Sequence, residues 1–382
     1  MSDITSSEYS AEAASLHAKV RAHLAQADLS LPIDPAFDEL ALEVARFQLR
    51  YNLPYRRYAA LKGMTPERLT HWLQAPPVPT DVFKAVALQT FPPELTVRTF
   101  LTSGTTQSKR GQHAFCSLEL YDAAIEGPFR RFVLPDLTPE GQLPFLALVH
   151  TAAERPESSL SYMVEKLMPS VGGQGSAYFM RADRLESHAL ASTLETLAAT
   201  GQPLLLMGTA FAFVYLCDDL PHWKVKLPEG SRLVETGGLK GRVREISREA
   251  LYALLQERLG LPKHAILAEY GMTELSSQLY DRCLRDHQLG VAPLRRLVPP
   301  PWLQVLVVDP VTLEPLPFGK RGLIRFFDLA NLYSVAAVQT SDLGIWTDEG
   351  LTLLGRAPGA EARGCSLTIE ELRHVEASGW QR

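Results

Sequence analysis

The 382-residue chain is 46% apolar and 21% charged, an ordinary globular composition that can bury one large core or two smaller ones. A formal charge of −5 and a pI near 6.1 exclude nucleic acid and anionic membrane as expected partners, since either favours a concentrated basic face. The four cysteines, Cys116, Cys217, Cys283 and Cys365, form no Cys-x-x-Cys pair, so neither a structural zinc site nor a disulfide framework is expected, and a reducing, cytoplasmic setting fits.

The opening stretch "MSDITSSEYSAEAASLHAKV" lacks a basic segment followed by an apolar one, so no secretory signal is read. The first hundred residues read as helical. In "DPAFDELALEVARFQLRYN" the residues Phe37, Leu40, Ala41, Val44, Phe47 and Tyr51 recur at helical spacing, with Asp34 as N-cap and Pro35 in the first turn. Further on, β-rich runs at 144–150, 203–209, 232–238, 303–309 and 322–327 alternate with helical segments. The longest apolar run, "PLLLMGTAFAFVYL", has 14 residues, short of the roughly 20 needed to span a bilayer. Its part "MGTAFAFVYL" reads equally as an acyl-tunnel wall or as plain core. A helix with the stripe Leu251, Leu254, Leu255 and Leu259 opens at Ser247 and closes at Gly260 and Pro262. "VPPPW" at 298–302 is either a stiff connection or a turn into the next strand. "IWTDEGLTLLGR" reads as a hairpin turning at Asp348, Glu349 and Gly350. The alternation implies an α/β protein with largely buried parallel strands, and no internal repeat is visible.

One loop stands out. In "TFLTSGTTQSKRGQHAF", residues 99–115, Thr102, Ser103, Gly104, Thr105 and Thr106 line up ahead of Lys109 and Arg110. Hydroxyls, glycine-exposed backbone N–H groups and a trailing cation suit phosphate oxygens, although the spacing is not that of a Walker loop. The plain alternative is a solvated turn. Downstream, Glu274 is suited to hold Mg²⁺ bridging phosphates, Asp342 to accept from ribose hydroxyls, and Arg356 to donate to ribose or phosphate. Each also has a plain reading, as a helix-start carboxylate, a turn former and a surface cation. His113 and His150 read as structural histidines beside strands or as pocket residues.

Taken together and in order, these stretches resemble the adenylate-forming superfamily. "TSGTTQSKRG" resembles its phosphate-binding signature, and "ETGGLKGR" at 235–242, with Gly237 and Gly238, its adenine-side loop. "EYGMTE" at 269–274, with Tyr270, Gly271, Met272, Thr273 and Glu274, resembles its Tyr-Gly-x-Thr-Glu motif. "TSDLGIWTDEGLTLLGR" at 340–356 resembles its ribose-binding stretch. The resemblance implies ATP and Mg²⁺ as cofactors, with Thr273, Glu274 and Arg110 in the catalytic set. It implies the large-domain fold of that superfamily: helix-covered mixed sheets plus a small β subdomain.

The superfamily's usual C-terminal domain carries a catalytic lysine, whereas here 26 residues follow Arg356 and none is lysine. The expected organisation is therefore one domain over 1–355 and a short tail over 356–382. That tail, with Cys365 after Arg363 and Gly364, resembles the end of the LuxE-type acyl-protein synthetases, or long-chain-fatty-acid protein ligases. "PVPTDVFK" at 77–84 and "SSLSYM" at 158–163 resemble the same family. Its members activate a fatty acid as acyl-AMP and pass the acyl group to a C-terminal cysteine, then to a reductase. The resemblance thus implies a fatty acid or other acyl carboxylate as substrate, acyl-donor and acyl-reductase proteins as partners, and Cys365 as acyl acceptor. Arg363 would lower the pKa of its thiol. Departures are Gln107 in place of a glycine, Arg110 in place of a lysine, Ser341 in place of the glycine of Thr-Gly-Asp, and Pro358 in place of a hinge aspartate. Two alternatives stay open: an acyl-CoA ligase of the phenylacetate-CoA ligase type, and a non-catalytic nucleotide-binding subunit.

Overall fold

A computed structural model describes residues 6–29, 36–103, 110–182, 184–237 and 246–357. Contacts divide the chain into two compact units. The described residues within 1–124, 272–278 and 299–357 form the first, and those within 125–271 and 279–298 the second.

Along the chain the first unit begins with α1 (Ser6–Gln26), α2 (Phe37–Tyr51), α3 (Leu53–Leu61), β1 (Val78–Pro79), β2 (Arg98–Leu101), β3 (Gln112–Phe115) and the start of α4 (Glu119–Val133). The second unit follows with β4 (Phe145–Leu148), α5 (Ser159–Val171), β5 (Ala177–Tyr178), β6 (Met180–Arg181), β7 (Arg184–Leu185) and α6 (Ser187–Thr200). It continues with β8 (Leu205–Thr209), α7 (Ala210–Asp219), β9 (Arg232–Thr236), α8 (Arg248–Leu259) and β10 (Ile266–Tyr270). After a short excursion into the first unit at 272–278 come β11 (Leu279–Asp281), α9 (Cys283–Gln288) and β12 (Leu297–Val298). The chain re-enters the first unit at Pro299 and ends its described part in β13 (Leu303–Val308), β14 (Arg321–Asp328), β15 (Ala337–Thr347) and β16 (Gly350–Arg356). "VPPPW" thus marks both a passage between units and the entry to a strand.

The α2 stripe behaves as its spacing predicts: Phe37, Leu40, Ala41, Val44 and Phe47 are buried, and Tyr51 donates to Glu12 at 2.8 Å. Asp34 and Pro35 lie outside the described residues. The helical reading of the first hundred residues holds only as far as Leu61; residues 62–97 run through turns, 3₁₀ turns and the two-residue β1 instead. Prolines at 76, 77, 79, 92 and 93 remove backbone donors and bias the preceding residues away from helix.

In the second unit the strands lie in the order β5-β4-β8-β9-β10-β11-β12, parallel from β5 to β10 and antiparallel beyond. Strands β4, β8, β9 and β10 are buried along almost their whole length, which is why they read as continuous apolar runs rather than alternating ones. Leu146, Leu206, Leu233 and Ile266 from the strands pack with Phe213, Leu251 and Leu255 from the helices. Helix α8 carries the predicted caps: Ser247 Oγ accepts from the Ala250 N–H at 3.1 Å, and Gly260 takes φ +67°. Most of the "MGTAFAFVYL" run is buried, Tyr215 being its exposed exception. It leaves β8 at Thr209, whose Oγ1 caps α7 through the Ala212 N–H at 3.2 Å, and Phe213 is fully buried among the strands' side chains. Gly208 sits opposite Leu148, where an added Cβ would stand 2.6 Å from the leucine Cβ. Gly208→Ala is expected to cost about 1–2 kcal/mol, read as a lower urea midpoint.

In the first unit β13, β14, β15 and β16 form an antiparallel meander, with β1 added in parallel to β15 and the β2–β3 hairpin separate. The predicted turn at Asp348 and Glu349 joins β15 to β16, and Gly350 takes φ +125°. Among the described residues no helix is long and apolar enough to cross a membrane.

Candidate functional site

The described candidates fall into two groups, each within one unit. Gly104, Thr105, Thr106, Lys109, Gly238 and Cys365 lie outside the described residues.

In the first unit, hairpin β2–β3 holds the mouth of the hydroxyl-rich loop closed. The Thr102 N–H donates to the Gly111 carbonyl at 2.9 Å, and the Gly111 N–H donates to Thr102 Oγ1 at 2.8 Å. A Cβ on Gly111 would meet Thr102 Cγ2 at 2.9 Å, so the close approach requires glycine. Arg110 folds back on this mouth, its Nε donating to the Thr102 carbonyl at 2.7 Å and its Nη2 to the Leu101 carbonyl at 3.3 Å. The cation predicted for phosphate is therefore first of all a staple of the loop's base.

Met272, Thr273 and Glu274 follow β10 on an irregular segment. Glu274 is buried, and burial pushes its carboxyl up to about 7 against the opposing pull of Lys84 and Arg356; Asp81 adds to the rise. Lys84 is itself paired with Asp81 at 2.6 Å. Asp342 and Arg356 stand opposite each other in the β15–β16 register, Arg356 Nε 3.7 Å from Asp342 Oδ1. Glu274 thus feels the charge of Arg356, which in turn faces Asp342. Arg356 is largely exposed, so its pairing with Asp342 contributes little to stability and leaves its donors accessible to a ligand.

His113 was a structural or pocket residue by sequence, and it is a structural one. Its ring lies against Phe115, centroids 4.2 Å apart, and edge-on to Phe83. Its Nδ1 is 2.8 Å from the Thr273 carbonyl, which accepts only, so Nδ1 carries the proton. Burial drives the imidazole down to about 4, and the ring stays neutral.

In the second unit, Gly237 follows β9 with φ +83°, a conformation that disfavours any side chain. Tyr270 closes β10 and Gly271 follows it. Directly before these residues stand Thr236 and Glu269, facing each other across the parallel pair, and the threonine hydroxyl donates to Glu269 Oε2. Burial pushes Glu269 up to about 7, the Thr236 bond opposing and Glu235 adding to the rise. Glu235 is also fully buried and its carboxyl raised by burial; Oε1 accepts from Tyr252 at 2.8 Å and meets Arg248 Nε at 3.0 Å. Sequence reasoning passed over Glu235 and Glu269, although a carboxylate inside an apolar strand such as "RLVET" or "ILAEY" is a signal of a buried polar role.

Among the described residues no group of three or more His, Cys, Asp or Glu converges as a metal cage. A magnesium ion held by one or two carboxylates and substrate phosphates needs none, and Glu274, a hard oxygen donor beside two cations that attract phosphate, fits that role.

Comparison with known proteins follows the same lines. The family described as acyl-protein synthetase, LuxE, matches residues 160–373. Two proteins named "Long-chain-fatty-acid--luciferin-component ligase" are similar. That of Vibrio harveyi is 25% identical over 221 residues, 57% of this chain and 51% of its own length, so the match spans about half of that protein. That of Aliivibrio fischeri is 23% identical over 317 residues, 81% of this chain and 78% of its own. Among solved structures, an open conformation of 2-hydroxyisobutyryl-CoA ligase in complex with 2-HIB-AMP and CoA superposes with a TM-score of 0.58 at 15% identity. The superposition covers 84% of this chain and 69% of that one. The same ligase in its postadenylation state gives 0.58 over 84% and 67%. The fold is thus the α/β fold of adenylate-forming ligases.

Proposed function

This chain belongs to the LuxE acyl-protein synthetase family, and from that premise we propose that it is a ligase that activates a long-chain fatty acid with ATP and captures the acyl group on its own Cys365. A carboxylate oxygen of the acid attacks the α-phosphorus of ATP, the bond to the β-phosphate bridging oxygen breaks, and diphosphate leaves. The Cys365 thiolate, its proton lost to solvent, then attacks the acyl carbonyl; the bond to the AMP oxygen breaks, AMP leaves, and a thioester remains.

The observation that carries the reading is the burial of Glu274 in the field of Lys84 and Arg356, with Arg356 facing Asp342 across the β15–β16 pair. In this reading Arg356 and Asp342 take the ribose, and Thr102 and Ser103 open the phosphate loop that continues through Gly104, Thr105 and Thr106. Gly237, Gly238 and Tyr270 take the adenine side, and Gly271, Met272 and Thr273 carry Glu274. Glu274 would hold Mg²⁺, which would supply charge neutralisation on the phosphate oxygens. The thioester is a form suited to handing the acyl group to a reductase or another acceptor protein.

The test uses the full chain with ATP, Mg²⁺ and labelled fatty acids of graded length. Acid-dependent ATP–diphosphate exchange is expected, together with protein-bound label that hydroxylamine removes and that Cys365→Ser does not acquire. Exchange with label passing only to added coenzyme A would replace the protein-acylating reading by an acyl-CoA ligase. Neither exchange nor label would leave a nucleotide-binding subunit.

A further inference from the structure

Irregular backbone is normally exposed, because a buried loop must satisfy its own polar groups. Residues 272–278 have no regular structure, yet Glu274, Leu275, Ser276, Ser277 and Gln278 are all buried. Three buried side chains of the first unit answer for them. His113 Nδ1 donates to the Thr273 carbonyl at 2.8 Å. Asn331 Nδ2 donates to the next carbonyl, that of Glu274, at 2.7 Å, and its Oδ1 accepts from Ser276 Oγ at 2.6 Å. Asp328 takes the Ser276 N–H at 2.9 Å and the Ser277 hydroxyl at 2.8 Å.

The support continues one layer deeper. Gln48 Nε2 donates to the carbonyls of Asn331 and Leu332 at 2.9 and 3.1 Å, and its Oε1 accepts from the Ala336 N–H at 2.9 Å. Trp302 Nε1 donates to Ser277 Oγ at 3.0 Å. Consecutive carbonyls on either side of the Glu274 Cα are thus gripped from two separate elements, the β2–β3 hairpin and the turn after β14. With both peptide planes fixed, the direction of the Cα–Cβ bond of Glu274 is fixed too.

We propose that Asn331, seconded by Asp328 and His113, is a positioning residue for Glu274: it aims the carboxylate at the metal–nucleotide complex and does not itself touch it. This rests on the reading of Glu274 as the Mg²⁺ carboxylate. Donors that orient a ligating group, rather than ligate, characteristically change metal affinity or activity by 10–100-fold when lost.

The variant is Asn331→Asp, which keeps shape but presents oxygens where the carbonyls of Glu274 and Val335 need donors, at 2.7 and 3.1 Å in the wild type. The control is Gln48→Met, which damages the same core without removing a bond to 272–278. ATP–diphosphate exchange is measured against MgATP, free Mg²⁺ and fatty acid, with the thermal transition of each variant. For Asn331→Asp, kcat/KM for MgATP is expected to fall about 10–100-fold and the Mg²⁺ needed for half-maximal rate to rise, while KM for the acid stays within about twofold. Gln48→Met is expected to lower the melting temperature without moving the Mg²⁺ requirement. Equal kinetic effects of the two variants, or an unchanged Mg²⁺ requirement in Asn331→Asp, overturn the positioning role and leave a purely structural one. Wild-type protein without Mg²⁺-dependent exchange would instead remove the functional reading, and the positioning role with it.

Discussion

Glu274→Gln is expected to slow ATP–diphosphate exchange by about 10²–10³-fold, the scale set by removing one preorganised charge-stabilising group from a buried site. Glutamine preserves the volume and leaves the backbone carbonyl on Asn331, so the fold and the loop are expected to survive while the charge proposed to hold Mg²⁺ is lost. The pH profile supplies a second reading of the same residue. Burial raises the Glu274 carboxyl to about 7, with Lys84 and Arg356 opposing and Asp81 reinforcing the rise. Only the ionised form binds a cation, so wild-type activity rises as pH increases through about 7, and added Mg²⁺ moves that limb to lower pH by competing with the proton. Glu274→Gln is expected to lose the limb altogether. Rates at saturating ATP from pH 5.5 to 8.5, at two Mg²⁺ concentrations, decide it. A variant that keeps both rate and limb would remove Glu274 from the chemistry. His113 does not produce the limb, since burial keeps it neutral down to about 4.

What was legible in the sequence was local or ordered. The stripe of α2, the caps Ser247 and Gly260 of α8, and the buried runs of β4, β8 and β9 follow from periodicity and end signals a few residues apart. Glu274, Asp342 and Arg356 were legible as candidates because four motifs occur in one order; in the first unit Arg356 acts on Glu274 by charge and faces Asp342. The bracing of Glu274 was not legible. His113 meets Thr273 across 160 residues and Asn331 meets Glu274 across 57, and no short-range pattern encodes such a bond. Arg110 was read from its charge, yet its geometry is set by two carbonyls at the loop's base. The helical reading of residues 62–97 failed for a different reason: composition allowed it, but the clustered prolines break the backbone ladder.

Glu269→Gln is expected to raise folding stability at pH 8 by about 3 kcal/mol, the free-energy equivalent of moving a carboxyl from its ordinary 4.5 to about 7 by burial. The sign follows from proton binding. With its folded pKa above the unfolded one, the folded state holds the proton more tightly, so this group's contribution is complete below about 4.5 and is lost as pH rises through about 7. Wild-type urea midpoints should therefore fall between pH 5 and pH 8, and glutamine, neutral at both, should flatten that slope while its carbonyl oxygen still accepts from Thr236. A slope unchanged in the variant would mean that Glu269 does not titrate in this range. The tie itself has a separate consequence for function. The Thr236–Glu269 bond ties the ends of the paired strands β9 and β10 one residue before Gly237 and Tyr270. On the proposed adenine-side reading of Gly237 and Tyr270, Thr236→Val, which removes that tie, is expected to raise KM for ATP, whereas Glu269→Gln, which retains the bond, is expected to leave it unchanged. The two variants are therefore expected to separate stability from nucleotide affinity at this one contact, the charge of Glu269 acting on the first and its hydrogen bond on the second.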